Sequence, residues 1–588
     1  MTYRWKPLCI LLTLAAFLAA RLTRPATAAE AKPPLPGDAW RAAHRIIDLH
    51  QHIGTKPEFV QRALHIMDEA GIGIGVNLSG GTVTRKDNQP SEFEQNLALA
   101  NRRAPGRFLQ YMNLDYTGWD KPDFSERAVR QVEEGFRLGA AGLKEYKRLG
   151  LYLRDGEGKL IKIDSPKLDP VWKRCGELGM PVSIHVADPR AFWLPFNEKN
   201  ERWKELKDHR PWWFGDTNIY PAREDLLAAL NRVIERNPKT TFVCVHFANN
   251  AEEIDKVDEW LDRYPNMMAD IAARIPELGR HNADKVRRLF TKHQDRIFFA
   301  TDFQVYDRLT LGSGGSGPEP TDADAALFYA KHWTWFETKE RHFTHMTPIQ
   351  GDWTIDAIGL PSNVLRKIYF DNARRLLARS LPLPVARASR INADFPLKGD
   401  LRNPAWKKAA PVSVDYSLKD SIVKPELSTE VRLLWSDKYL YLGYKAPYTD
   451  LTLFDPPNLK QERVGLWDKD VVELFIDSDP STPKTYYEFE VAPTGEWIDL
   501  ELGVPKFSLD WNSGWETVAK IDSKARVWTV EMRIPLASLG QNSPRIGARW
   551  RMNLYRHDIA HKVFMAWNPS LTPTAHTPER FGILEFGD

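Results

Sequence analysis

Residues 46–54 read IIDLHQHIG. The run is apolar enough for a buried strand, yet it carries a polar group at every second position. Period two puts Asp48, His50 and His52 on one face, and Ile47, Leu49 and Gln51 on the other. Three polar groups on one face of a buried strand need something to bind. Two imidazoles spaced two apart can grip one cation together, so this strand is predicted to open a site.

Working outward, short apolar runs alternate with amphipathic helical segments from about residue 45 to 380. The strand candidates after RIIDLHQ are IGIGVNL, RFLQYMNL, AAGLKEY, PVSIHVA, TFVCVHF, MMADIA and RIFFATD. Helical patterns such as PEFVQRALHIMDEAG and EDLLAALNRVIERNP lie between them. Eight such repeats predict an α/β fold, a (β/α)8 TIM barrel. An open doubly wound sheet competes, but no glycine-rich phosphate fingerprint follows the first strand.

The same alternation places Ser183 and His185 together near the end of the fifth strand, Cys244 and His246 on the sixth, and Asp302 at the end of the eighth. A barrel converges those ends. Neutral imidazole and carboxylate suit Zn²⁺ best, with Mn²⁺ or Fe²⁺ as alternatives. His50, His52, His185 and Asp302 are the expected metal ligands. A cation there would lower the pKa of a water molecule to roughly 7. Two long connections, 188–220 with four tryptophans and 303–361 with GSGGSGPEPTDAD and HWTWF, leave the same strand ends and are expected to form a lid.

The first 29 residues read as an export signal. Arg4 and Lys6 precede LCILLTLAAFLAA, which is too short to span a bilayer, and ATAAE offers small residues for cleavage. The mature chain is expected in the periplasm or outside the cell, without a stable membrane span. Cys175 and Cys244 each sit in an apolar element and are read as buried thiols. A net charge of +3 over 588 residues, with no basic stripe, gives no case for nucleic acid. A composition 43% hydrophobic and 27% charged, with 21 tryptophans, is that of a folded chain with two domains.

Residues 381–395 read as a linker into a second domain, 396–588, where helical patterning almost stops. STEVRLLWSDKYLYLGYKA, DVVELFID, TYYEFEVAPTGEWIDLEL and ARVWTVEMRIPL are alternating strand runs. They predict an all-β, antiparallel sandwich of immunoglobulin-like or jelly-roll type.

The barrel motifs, from IIDLHQH through SIHVADP, VCVHFANN and FATDF to YFDNARRLL, resemble the amidohydrolase superfamily. The resemblance is to the amidohydrolase-related branch that contains aminocarboxymuconate-semialdehyde decarboxylase. It implies that His50, His52, His185 and Asp302 bind the metal and that His246 is a catalytic or second-metal group. Lys144, in AAGLKEYK, matches the strand-four position that is carboxylated in two-metal members. As a plain ammonium it would bind a substrate carboxylate or pair with Asp302 or Glu145, and Lys147, of opposite parity, reads as solvent-facing. Asp48 is expected to orient a histidine N–H, and Asp270 to contact Lys144.

Hydrolysis by metal-activated water, with Asp302 taking a proton and His246 stabilising an oxyanion, is the leading expectation for a small organic or carbohydrate-linked substrate. Nonoxidative decarboxylation is the alternative, and a non-catalytic glycan-binding protein on a barrel scaffold is the rival of another class. The sandwich resembles the family-nine carbohydrate-binding module, on LWDKDVVELFID, MNLYRHD, AWNPS and the closing FG. That resemblance implies a sugar held by Trp467, Glu473 and an opposing Trp567. Core tryptophans are the competing reading, and Asp468, Asp470, Asp477 and Asp479 are a candidate calcium cluster.

Overall fold

The computed structural model describes residues 34–479, 485–503, 507–540 and 544–588. The expected export signal lies outside them. Among the described residues no helix is long and apolar enough to cross a membrane.

Eight parallel strands form the barrel wall: β1 (Ile47–Ile53), β2 (Ile74–Asn77), β3 (Phe108–Asn113), β4 (Gly142–Glu145), β5 (Val182–Ile184), β6 (Phe242–Cys244), β7 (Met267–Asp270) and β8 (Ile297–Phe298). Each coincides with one of the predicted runs. Closure is made by the chain just after β8. Leu49 N donates to Phe299 O at 3.1 Å and Asp302 N donates to His50 O at 2.9 Å. Then β9 (Phe303–Val305) pairs in parallel with the end of β1. The helix Pro57–Ala70 starts with proline in its first turn and stops at Gly71, whose φ of +75° an L side chain rarely adopts.

The opening stretch does not alternate throughout. Asp48 is opposite Gly75 but Gln51 is opposite Asn77, so three steps along β1 match two along β2. This irregularity flips the faces midway. Ile47 and Leu49 pack with Val76, Leu109, Tyr111 and Phe298 inside the barrel, each burial worth about 1.5–3 kcal/mol for the aliphatic side chains. Asp48 instead accepts hydrogen bonds from Thr301 Oγ1 (2.5 Å), Thr301 N (3.1 Å), Gln51 Nε2 (3.0 Å) and Tyr329 OH (3.4 Å). The expectation that Asp48 shares a face with His50 and His52 and orients a ring is therefore corrected. Asp48 fastens β1 to the segment carrying Asp302.

The two long connections are fastened to each other. His209 Nε2 meets Gly314 O at 3.0 Å, Ser316 N donates to Asp208 Oδ2 at 2.9 Å, and Ser313 hydrogen-bonds Glu205. Part of the second connection is not lid: HWTWF belongs to the helix Asp322–Glu337, and its Trp335 is fully buried in the layer outside the barrel.

The second domain is a two-sheet sandwich with an apolar core that includes Leu442, Leu474, Met532 and Phe586. Val385–Arg390, inside the expected linker, is a strand of it. It pairs in parallel with Gly582–Phe586 and then with Thr429–Trp435, so it joins the two sheets and departs from the antiparallel expectation.

Candidate active site

The C-terminal rim of the barrel gathers the polar residues that the strand ends promised. His50 and His52 project inward from β1, with their Nε2 atoms 3.2 Å apart. Asp302 Oδ1 lies 3.3 Å from His52 Nε2 and 3.6 Å from His50 Nε2. One ligand atom from each of His50, His246 and Asp302 lies within 4.8 Å of the others. His185, one residue beyond β5, sets its ring edge-on to His246 with centroids 4.4 Å apart. The structure thus brings His50, His52, His185, His246 and Asp302 into one cluster.

Alternation alone does not aim two of them. His246 (φ 56°) opens a run of left-handed residues through Asn249, and Asp302 has φ 61°. Such conformations cost about 1–3 kcal/mol each for residues other than glycine and collect at functional sites. The turn after β6 is held by Asn249, whose Oδ1 accepts from Val186 N at 3.1 Å and Ala187 N at 3.3 Å. That bond also fixes the backbone next to His185.

Hydrogen bonds behind the rings decide which nitrogens face the cluster. His50 Nδ1 lies 2.9 Å from Asp270 Oδ2, and His246 Nδ1 lies 2.8 Å from Ala272 O. A carboxylate or carbonyl oxygen only accepts, so both Nδ1 atoms carry the proton and both Nε2 atoms turn a lone pair inward. Burial, reinforced by Lys144, holds His50 well below the usual histidine range, and burial with Arg274 does the same for His246. His185 is pushed down to about 4 by burial. For Asp302 burial pushes upward, but His50, His52 and Lys144 outweigh it and hold the carboxyl below its ordinary value. Neutral imidazoles and one carboxylate are a donor set that fits a divalent cation such as zinc. Asp270 is thus the residue that orients a ring, the role expected of Asp48.

Lys144 ends at the same place. Its side chain is buried, and Nζ makes no hydrogen bond among the described residues. Burial pulls its pKa down to about 8, against the nearby charges of Asp270, Asp302 and Glu145. Sequence reasoning missed several neighbours. Lys147, expected in solvent, lines the cavity, pairs with Asp188 at 2.5 Å and lies 5.0 Å from the Trp212 ring centroid. Arg274 and Ser79 line it too, and Ser79 Oγ meets His52 Nδ1 at 2.7 Å. The cavity measures about 530 Å³ and is walled by both long connections.

In the sandwich the named residues separate. Trp467 is 37% exposed, whereas Trp567 is 7% exposed, packs in the inter-sheet core and lies against Gly582. The expected opposing platform is therefore a core ring. Glu473 is buried at mid-strand in Val471–Asp477. Asp470 and Asp477 flank that strand at opposite ends, roughly 20 Å apart at about 3.3 Å per residue, so the expected aspartate cluster cannot share one ion.

A closed (β/α)8 barrel with imidazoles and a carboxylate at its C-terminal rim defines the class: barrel proteins equipped to bind a divalent metal. The family profile described as amidohydrolase matches residues 47–379, and the chain belongs to that family. Residues 397–587 match the profile described as carbohydrate family 9 binding domain-like. No curated protein matches this chain. Among solved structures, a protein described as an amidohydrolase from Staphylococcus aureus is similar, with 14% identity over 56% of this chain and 99% of that one (TM-score 0.35). A 2,6-dihydroxybenzoate decarboxylase from Rhizobium shows 17% identity over 56% of this chain and 98% of its own (TM-score 0.34). A family 9 carbohydrate-binding module from Caldicellulosiruptor kristjanssonii, solved with glucose, shows 15% identity over 35% of this chain and 97% of its own (TM-score 0.27).

Proposed function

We propose that the barrel is a metal-dependent hydrolase acting on a small organic substrate with an anionic group, in a chain whose first 29 residues direct export. The inward lone pairs of His50 and His246, fixed by Asp270 and Ala272 O, carry this reading together with the adjacent Asp302. His50, His52, His185 and Asp302 would hold the cation, zinc by its preference for such donors. When bound, the cation supplies Lewis acidity toward a carbonyl oxygen and toward water.

The chain's own groups account for the rest. Asp302, kept ionised, accepts a proton, while Gln304 Nε2 donates to its Oδ1 at 3.2 Å and fixes the carboxylate. His246 presents a lone pair at Nε2, so in its neutral form it accepts a proton there, and once protonated it can donate to an oxyanion. Arg274, which lines the cavity, is a donor that can meet a developing negative charge. Lys144, unpaired and buried, binds the anionic group. The two fastened connections limit water around these groups.

The test incubates the zinc-loaded chain with panels of lactones, amides, esters and aromatic acids, with products read by mass spectrometry. Metal-dependent gain of one water, lost in Asp302→Asn, is the expected result. Release of carbon dioxide from the acids without hydrolysis of any panel member would replace this reading by decarboxylation. For the sandwich we propose carbohydrate binding on Trp467, its open ring. Loss of glycan-array signal in Trp467→Ala is expected, and an unchanged signal would remove that role.

A further inference from the structure

Behind His50 and His246 stand oxygens that can only accept, and these fix the two ring tautomers. Behind His52 stands a hydroxyl, Ser79 Oγ, 2.7 Å from Nδ1. A hydroxyl donates or accepts, so this bond alone leaves the ring proton on either nitrogen. The groups around Ser79 decide it. Its Oγ also lies 2.9 Å from Tyr146 OH and receives the Tyr306 hydroxyl at 2.8 Å. Tyr146 OH donates to Leu78 O at 3.0 Å. A carbonyl only accepts, so the Tyr146 proton is engaged there and Ser79 must donate to Tyr146. With its own proton engaged, Ser79 can only accept from His52. Nδ1 therefore carries the ring proton, and Nε2 turns its lone pair toward His50 Nε2 and Asp302 Oδ1, 3.2 Å and 3.3 Å away. Tyr306 fills the remaining lone pair of Oγ, so every proton in the group has one consistent direction.

The fold brings these groups together from separate strands. Ser79 lies two residues beyond β2, and Asn77 Oδ1 accepts from both Ser79 N (3.0 Å) and Ile53 N (2.9 Å), which ties it to the strand carrying His52. Tyr146, one residue beyond β4, stacks on the His52 ring with centroids 5.9 Å apart and 28° between the planes. Tyr306 reaches Ser79 from beyond β9 by passing Gly54, where a Cβ would lie 2.8 Å from the tyrosine ring. Gly54, the last residue of the IIDLHQHIG run, keeps that path open.

We propose, building on the metal-site reading of the barrel rim, that Ser79 is the positioning residue of His52 and that Tyr146 sets the direction of its hydroxyl. A tyrosine outside the ligand set then governs how well the rim binds a metal. Tyr146→Phe keeps the ring on His52 and removes only the hydroxyl. Without that acceptor the Ser79 proton is free to turn to His52 Nδ1. This favours the tautomer protonated at Nε2, and a protonated nitrogen cannot ligate.

Zinc affinity of the full chain, by competition with a chromophoric chelator, is the test. Ser79→Ala should bind zinc about tenfold more weakly or worse, the range for loss of an orienting partner. Ser79→Thr keeps the hydroxyl, and its methyl can enter the cavity that Ser79 lines, so its affinity should stay closer to native than to Ser79→Ala. Tyr146→Phe should weaken zinc binding in the native background and have no effect once Ser79 is alanine, the non-additivity of a residue that acts through another. A merely structural Ser79 would instead lower the melting temperature of the metal-free chain and leave zinc affinity as it is. Zinc affinity within about twofold of native in Ser79→Ala, well short of that range, or equal losses from Tyr146→Phe in both backgrounds, would overturn the proposal. Should Ser79→Ala fail to fold, native zinc affinity in Tyr146→Phe would overturn it. A native chain that takes up no zinc would remove the metal-site reading and this one with it, which tells the two failures apart.

Discussion

Replacing Asp270 by asparagine should damage metal binding more than replacing it by alanine. Asp270 Oδ1 accepts from His246 N at 2.8 Å and Ala272 N at 3.2 Å, while Oδ2 holds the His50 ring. The two backbone groups can only donate, so the asparagine oxygen must remain with them. Its amide NH₂ then faces His50 Nδ1, which must become an acceptor. The ring proton moves to Nε2, and a protonated nitrogen cannot ligate. Loss of an orienting partner alone costs about 10–100-fold in metal affinity, and the reversed tautomer puts Asp270→Asn at or beyond the upper end, about 2.7 kcal/mol. Asp270→Ala leaves His50 free to choose its tautomer and should lose only about 10-fold. It also strips an acceptor from two buried N–H groups at about 1–3 kcal/mol each, so it should be the less stable of the pair. Zinc affinity by competition with a chromophoric chelator, with thermal unfolding of the metal-free chains, reads both orders. Zinc binding within about twofold of native in Asp270→Asn, or the opposite ranking of the two variants, would refute the tautomer reasoning.

Other perturbations bear on separate parts of the molecule. Lys144→Gln should raise KM for an anionic substrate by about tenfold or more and leave zinc affinity unchanged; loss of a metal ion instead would mean that Lys144 bridges metals. His332 is buried with its pKa pushed down to about 4 from 6.5, so the unfolded chain takes up its proton first. Stability should therefore fall as pH drops from about 6.5 toward 4, by about 3 kcal/mol at most, and level off below. Acid unfolding curves of His332→Phe should lack that share of the loss, because phenylalanine suits the surrounding Phe299, Phe328 and Tyr329. Gly582→Ala would set a Cβ 2.4 Å from the Trp567 ring and 2.9 Å from Pro384 O. It should cost about 1–3 kcal/mol in denaturant titration while barrel zinc affinity is unchanged.

The barrel was legible because each of its eight strands is a short apolar run bounded by turns, and the histidines stand at the ends of those runs. Alternation failed where the backbone stops being a strand. The irregularity in β1 sent Asp48 outward while keeping His50 and His52 inward, and only its pairing with β2 reveals that. His246 and Asp302 reach the cluster through left-handed residues that no period describes. Lys147 lies beyond β4, where parity no longer assigns a side, and its direction is set by Asp188 and the aromatic connection above it. Trp567 is set by its contact with Gly582 in the C-terminal strand, and the parallel strand Val385–Arg390 pairs with that same strand from about 200 residues away in sequence.

Anomalous diffraction at the zinc edge from crystals of the full chain grown with zinc tests the central claim most directly. It should show a peak within ligand distance, about 2.0–2.2 Å, of the nitrogens of His50, His52 and His185 and of the Asp302 carboxylate. A barrel rim without a peak, or zinc held by other residues while these four remain uncoordinated, would contradict it.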